Sequence, residues 1–236
     1  DFEESISYSS CGKLILEKFI SGPQISSESI IVNKKIFSIA FADRNYEYLE
    51  KYSPNIIENG GEMPSKLSSS IIDKIKLLLE NVAKVLDIEN GILKGDIVID
   101  NEEPLIIEVA PRLSGGYFST HEIPLSTGID LIGLAIKQAM GDLDKKISIK
   151  PLKNKPIVQR YWFPKEGTVK SISNFQHLRD LKNVEYLEMR VKIGDKIGRI
   201  DSHPSRPGLV ITSGEDVMSA KYLAEQIIKQ VNIVVE

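Results

Sequence analysis

The chain has 236 residues, a net charge of −3 and one cysteine, with acids and bases mixed along its length. That length supports one large core or two small ones. The charge offers no basic field for a nucleic-acid backbone, and no apolar run approaches the length of a bilayer span. Cys11 has no partner for an internal disulfide, so a reducing, cytoplasmic setting is the default expectation.

Asp1-Phe2-Glu3-Glu4 reads as the start of an amphipathic helix. Ser9-Ser10-Cys11-Gly12-Lys13 lacks the glycine spacing and final Lys-Ser/Thr of a phosphate-binding loop. Residues 14–20 (LILEKFI) are apolar and strand-like, Ser21-Gly22-Pro23 turns the chain, and residues 25–32 resume an extended pattern. A further strand is expected over residues 37–44. Ser68 or Ser69 can cap a helix whose apolar positions are Ile71, Ile72, Ile75, Leu78, Leu79, Val82 and Leu86.

The most informative stretch is GDIVIDNEEPLIIEVAPRLSGG, residues 95–116. Two β-branched runs flank polar Asn101-Glu102-Glu103-Pro104, which predicts a hairpin. Asp96 and Glu108 are twelve positions apart. Because side chains alternate faces along a strand, a loop with an odd number of residues would put both carboxylates on one face. Facing acids repel unless a cation lies between them, and a hard divalent ion with oxygen ligands is the natural one. The competing reading is a pair of solvated acids on an open sheet face. Arg112 and the flexible Ser114-Gly115-Gly116 turn follow at the strand end, completing a set of groups suited to phosphate and metal. Lys94 reads as a solvated strand-start lysine, with a phosphate contact as the lesser reading.

Beyond the hairpin, His121 beside Glu122 can line a polar pocket. A helix is expected with Ile132, Ala135, Ile136 and Met140 as its stripe, ending near Gly141 in a charged exit of Asp142, Asp144, Lys145 and Lys146. A boundary between residues 145 and 155 divides the chain into 1–150 and 151–236. The second part reads as short strands and a last helix opened by Glu215-Asp216, with Val217, Ala220, Leu223, Ala224, Ile227, Ile228 and Val231 inward. Arg160, His203 and Arg206 read as solvated turn and strand-face charges, with contact to an anionic substrate as the lesser reading.

The 95–116 stretch resembles the metal-binding end of the ATP-grasp superfamily, of the carboxylate–amine and amino-acid ligase type and similar to biotin carboxylase and carbamoyl phosphate synthetase. The family pattern Glu-x-Asn-x-Arg is here Glu108-Val109-Ala110-Pro111-Arg112, so alanine replaces one potential metal ligand while both carboxylates remain. Glu17-Lys18-Phe19-Ile20 resembles the family's adenine hinge. The resemblance implies that backbone groups around Lys18 and Ile20 bind the adenine edge, that Glu17 approaches its amino group, and that Gln24 stands where an acid usually holds the ribose. It implies an α+β fold: an ATP-grasp lobe of antiparallel sheet with packed helices, then a small carboxy-terminal α+β subdomain that supports a lid or a homodimer.

The function implied is an ATP- and Mg²⁺-dependent ligase, with Mn²⁺ as an alternative ion. Asp96 and Glu108 would hold metal, Arg112 the transferring phosphoryl group, Gly115 and Gly116 the intermediate, and Ser114 and His121 the substrate. Its partners would be a small-molecule carboxylate and an amine or thiol, with no nucleic acid and no membrane. The chain reads as the carboxy-terminal portion of a longer enzyme, weak in Mg-ATP binding by itself. Rival activities within the fold are carboxylation, carbamoyl phosphate synthesis and glycinamide ribonucleotide synthesis. A non-catalytic nucleotide-binding or assembly domain is the rival from another class, favoured by Ala110 and Gln24.

Overall fold

A computed structural model describes residues 2–143 and 147–236. Asp1 of the expected first helix, and Asp144, Lys145 and Lys146 of the expected charged exit, lie outside the described residues. The order is α1 (Phe2–Ser7), β1 (Gln24–Val32), β2 (Lys35–Arg44), α2 (Leu49–Tyr52), β3 (Gly61–Met63), α3 (Ser69–Val85), β4 (Gly91–Asp100), β5 (Glu103–Ala110), α4 (Ile123–Thr127) and α5 (Leu131–Ala139). It continues with β6 (Ile157–Tyr161), β7 (Gly167–Ile172), β8 (Val184–Met189), β9 (Lys196–Ile197), β10 (Gly208–Ser213), α6 (Val217–Gln230) and β11 (Ile233–Val235).

Among the described residues, eight strands make one antiparallel sheet in the order β5-β4-β1-β2-β3-β6-β10-β8, and β11-β7-β9 make a second. The large sheet runs through the connection that contains residue 150, because β3 pairs with β6 through Glu62↔Val158 and Met63↔Ile157.

Strand alternation sorts the side chains of β1 and β4 into two faces. Ile25, Ile31, Leu93, Ile97 and Ile99 face α3 and pack on its buried stripe Ile75, Leu79 and Ala83. Ser68 caps that helix, its hydroxyl accepting from the Ile71 amide at 3.4 Å. Leu86, expected on the stripe, instead lies exposed at the helix end. The even-numbered residues face the other way. Ile30, Val32 and Ile92 at one end are covered by Phe118, Ile123, Ile129 and Leu131. Ser26, Glu28, Lys94 and Asp96 continue the same face and form a polar wall.

Three local expectations are corrected. Residues 14–20 form no strand: they pair with no described strand, and Ile15, Leu16 and Phe19 are exposed. An apolar run becomes a strand only when a neighbouring backbone takes its hydrogen bonds. The α5 stripe is shifted, since Leu131 is buried and Leu134 and Ala135 pack on the core, whereas Ile136 and Met140 are exposed. The hairpin loop is not odd but has two residues, Asn101 and Glu102, both with positive φ (49° and 66°), the twist that a two-residue hairpin requires.

That even loop alone would pair Asp96 with Ile107 and send Glu108 to the α3 face. A bulge restores the parity. Pairing runs Asp100↔Glu103 to Ile97↔Ile106, then steps to Asp96↔Glu108, leaving Ile107 as the extra residue. Pro104 is tolerated in β5 because that strand is the sheet edge.

In the carboxy-terminal part, Asp216 caps α6 with a reciprocal Ser219 box. The expected stripe is observed: Ala220, Ala224, Ile227 and Val231 are buried, and Val217, Leu223 and Ile228 pack around them.

Candidate functional site

The polar wall begins with the cross-strand pair Asp96↔Glu108, directly opposed on one face. A cation does lie between the two acids, and it is Lys94. Its Nζ is ion-paired with Asp96 Oδ2 and lies 4.0 Å from Glu108 Oε1. The expectation of a solvated lysine is therefore corrected: Lys94 is 8% exposed. Its place two residues before Asp96 on the same strand aims both side chains at one spot. On the other side, Glu28 stands opposite Lys94 in the β1–β4 register. Glu28 is fully buried and accepts the Ser114 amide at 3.0 and 3.3 Å. Burial raises its carboxyl above the usual range, against the pull of Ser114 and Lys94.

The wall extends through Ser26, whose hydroxyl donates to Asp96 Oδ1 at 3.3 Å and accepts from Arg44 Nη1 at 3.4 Å. Arg44 is ion-paired with Glu58, and Arg206 lies 3.7 Å from the same carboxylate while donating to the Glu58 carbonyl at 2.8 Å. Arg206 also sits 3.5 Å from the centre of the Tyr161 ring. Burial pushes Glu58 up, with both arginines opposing. Next to them the His203 side chain is held down to about 4 by burial and the nearby arginines, so its neutral ring can accept from the Glu58 amide at 3.4 Å. Arg160, 2% exposed, pairs with Glu62. The reading of Arg160, His203 and Arg206 as solvated is thus corrected. Their partners lie roughly a hundred or more positions upstream, where no local pattern could announce them.

A cleft of about 550 Å³ opens beside Arg44. It is lined by Phe19, Ile20, Gly22, Gln24, Tyr46 and Glu47, among others. Of the expected hinge residues, Phe19, Ile20 and Gln24 thus share one cleft that reaches the polar wall, whereas Glu17 and Lys18 are exposed and outside its lining. The turn entering β1 docks tightly. The Pro23 carbonyl accepts from the Ile99 amide at 2.9 Å, and a Cβ on Gly22 would stand 1.6 Å from the Ile99 carbonyl oxygen. Gly22→Ala is therefore expected to displace this turn and lower stability by about 1–3 kcal/mol, read as a drop in melting temperature.

Arg112 is exposed and donates to the Leu113 carbonyl at 3.2 Å, away from the acid pair. Gly115 is open, and the Gly116 carbonyl accepts from Gln159 at 2.8 Å. His121 is half-buried between Tyr117 and Tyr186, 5.0 and 4.6 Å between ring centres, with Thr120 Oγ1 2.8 Å from its Nδ1. Glu28 and Glu58 were missed from sequence. The even-position alternation Ser26, Glu28 inside an otherwise apolar strand was the available signal for Glu28.

Among the described residues, no cluster of three or more His, Cys, Asp or Glu could hold a metal ion. Asp96 and Glu108 alone are a donor set suited to an ion that brings its own phosphate oxygens and waters, as Mg²⁺ commonly does. Among these residues no helix is long and apolar enough to cross a membrane.

Residues 2–116 match the family model described as the ATP-grasp domain, and residues 160–236 match that of the L-amino acid ligase C-terminal domain 2. Among curated proteins, none matches the chain. The L-amino acid ligase from Bacillus licheniformis superposes with a TM-score of 0.79 at 20% identity, covering 92% of this chain and 53% of that one. Phosphoribosylglycinamide synthetase from Anaerococcus prevotii gives 0.79 at 20%, covering 100% and 59%. The biotin carboxylase domain of Hydrogenobacter thermophilus 2-oxoglutarate carboxylase, a dimer solved with MgADP and bicarbonate, gives 0.73 at 15%, covering 99% and 51%. The chain thus spans little more than half the length of these solved structures. Residues 2–116 thus belong by sequence to the ATP-grasp domain family, and over its length the chain has the fold of these solved structures.

Proposed function

We propose that the protein containing this chain is an ATP- and Mg²⁺-dependent ligase that joins a small-molecule carboxylate to an amine. The observation that carries this reading is the bulge-set pair Asp96 and Glu108, opposed on one face beside Lys94, on a polar wall whose Arg44 also lines the cleft of Phe19, Ile20 and Gln24. A bound magnesium ion supplies charge neutralisation at the β- and γ-phosphates. Asp96 and Glu108 are the residues to hold it.

In this reading the substrate carboxylate attacks the γ-phosphorus and ADP leaves, giving an acyl phosphate that the amine then displaces. Phosphoryl transfer asks a protein chiefly for positioning and charge stabilisation. Lys94, withdrawn from water, gives a phosphate oxygen a fixed cation. Backbone groups around Lys18 and Ile20 meet the adenine edge, Glu17 approaches its amino group, Phe19 lies beside them and Gln24 faces the ribose. Arg112, carried on the turn after β5, offers a planar bidentate donor to the transferred phosphoryl group. Gly115 and Gly116 let backbone amides approach the acyl phosphate. Ser114 and His121 border the substrate side.

The test is ADP release by the full-length protein, screened with amino acids, other carboxylates and bicarbonate, with and without amines. Release that needs both a carboxylate and an amine is the expected result. Mg-ATP binding with no turnover on any acid would overturn the ligase and leave a nucleotide-binding assembly domain.

A further inference from the structure

Glu122 is a buried acid that the reaction described above leaves unused. It ends a π-helical turn, Phe118–Glu122, and is 3% exposed. Its carboxyl makes no hydrogen bond or ion pair with any described residue. It lines a cavity of about 30 Å³ together with Arg44, Glu58, Gln159 and the Gly115-Gly116 turn. Arg44 Nε, on the same cavity, is likewise buried without a hydrogen-bond partner. A polar hole of that size suits one water-sized group. An unpaired buried carboxylate is costly, so such a group either stays protonated or meets a ligand that satisfies it.

We propose that Glu122 accepts the proton of the attacking amine, as its nitrogen enters the cavity beside Gly115 and Gly116. The inference rests on the ligase reading and adds a proton path to it. The ammonium of the entering amino acid first gives one proton to a Glu122 oxygen, which later returns it to solvent. The freed nitrogen lone pair then forms the C–N bond, the bond between the carbonyl carbon and the phosphate oxygen breaks, and phosphate leaves with that electron pair and takes up the second nitrogen proton. The electrostatics suit this task. Burial, and then the negative charge of Glu58, push the Glu122 carboxyl up to about 8, with Arg44 and Arg160 opposing. The remaining ionisable neighbour from β6, Tyr161, is itself raised by burial and stays neutral. A base that titrates near the working pH is the efficient kind.

The experiment compares Glu122→Gln with the wild type in the full-length protein, using two nucleophiles. An amino acid arrives as an ammonium and needs a base, whereas hydroxylamine arrives neutral and traps the acyl phosphate as a hydroxamate. With the amino acid, Glu122→Gln should lose about 100-fold in kcat and lose the rise in rate through about pH 8. With hydroxylamine it should stay within about threefold of wild type. Glu122→Asp should restore part of the amine rate, separating a chemical role from a packing one. Equal loss with both nucleophiles, or no loss with either, overturns the proton-acceptor role. If the wild type forms no hydroxamate with any carboxylate, the ligase reading falls first and takes this one with it.

Discussion

Glu108→Gln is expected to lower carboxylate-dependent ADP release by about 100-fold or more, with Asp96→Asn similar. Each change keeps the shape of the side chain and removes one of the two charges that face each other across β4 and β5. The loss should appear mainly in kcat, because in the proposed reading the acids align the phosphates for transfer as well as binding the ion. Raising the magnesium concentration should recover part of the Asp96→Asn defect and little of the wild-type rate, since the wild type is already saturated. Folding should be almost untouched: Glu108 is 59% exposed at the sheet edge, where substitutions typically cost under about 0.5 kcal/mol. A Glu108→Gln enzyme with wild-type turnover would remove these acids from the chemistry.

Arg206→Ala is expected to be the most destabilising single change in the chain, at about 3–5 kcal/mol. The guanidinium holds four groups at once. It donates to the carbonyls of Glu58 and His203 at 2.8 Å each, faces the Glu58 carboxylate, and stacks on Tyr161. Removing it strands a buried acid and two carbonyls and opens space against a ring. Arg206→Lys should restore little, because an ammonium can neither stack flat nor serve three acceptors in one plane. Chemical denaturation of the three proteins would measure this, and a loss below about 1 kcal/mol for Arg206→Ala would show that Arg44 alone satisfies Glu58.

Much of the architecture was legible because its signals are local. The Ser68 cap with its 3.6-residue stripe, the Asp216 box, and the two β-branched runs around residues 101–104 each specify an element within about twenty residues. The opposed acids were expected as well, but through an odd loop. Ile107 looks like any other β-branched strand residue, so nothing near it announced the bulge that does this work. The buried charges were illegible for a different reason. Arg160 meets Glu62 and Arg206 meets Glu58 only because β3 and β6 lie side by side. A long charged side chain without an acid nearby in sequence reads as solvated. Residues 14–20 failed in the opposite sense, since the apolar pattern was local and the partner strand it calls for is not among the described residues.

The pairing of β3 with β6 also bears on how the chain can be divided. A protease that nicked the connection between α5 and β6 would cut the sequence near its middle yet leave the main sheet joined across the nick. The two pieces would stay clamped by backbone hydrogen bonds and by the Glu62–Arg160 and Glu58–Arg206 contacts. The seam between the two matched sequence families is therefore bridged by one continuous sheet, and neither piece would bring a complete set of partners for its own buried charges.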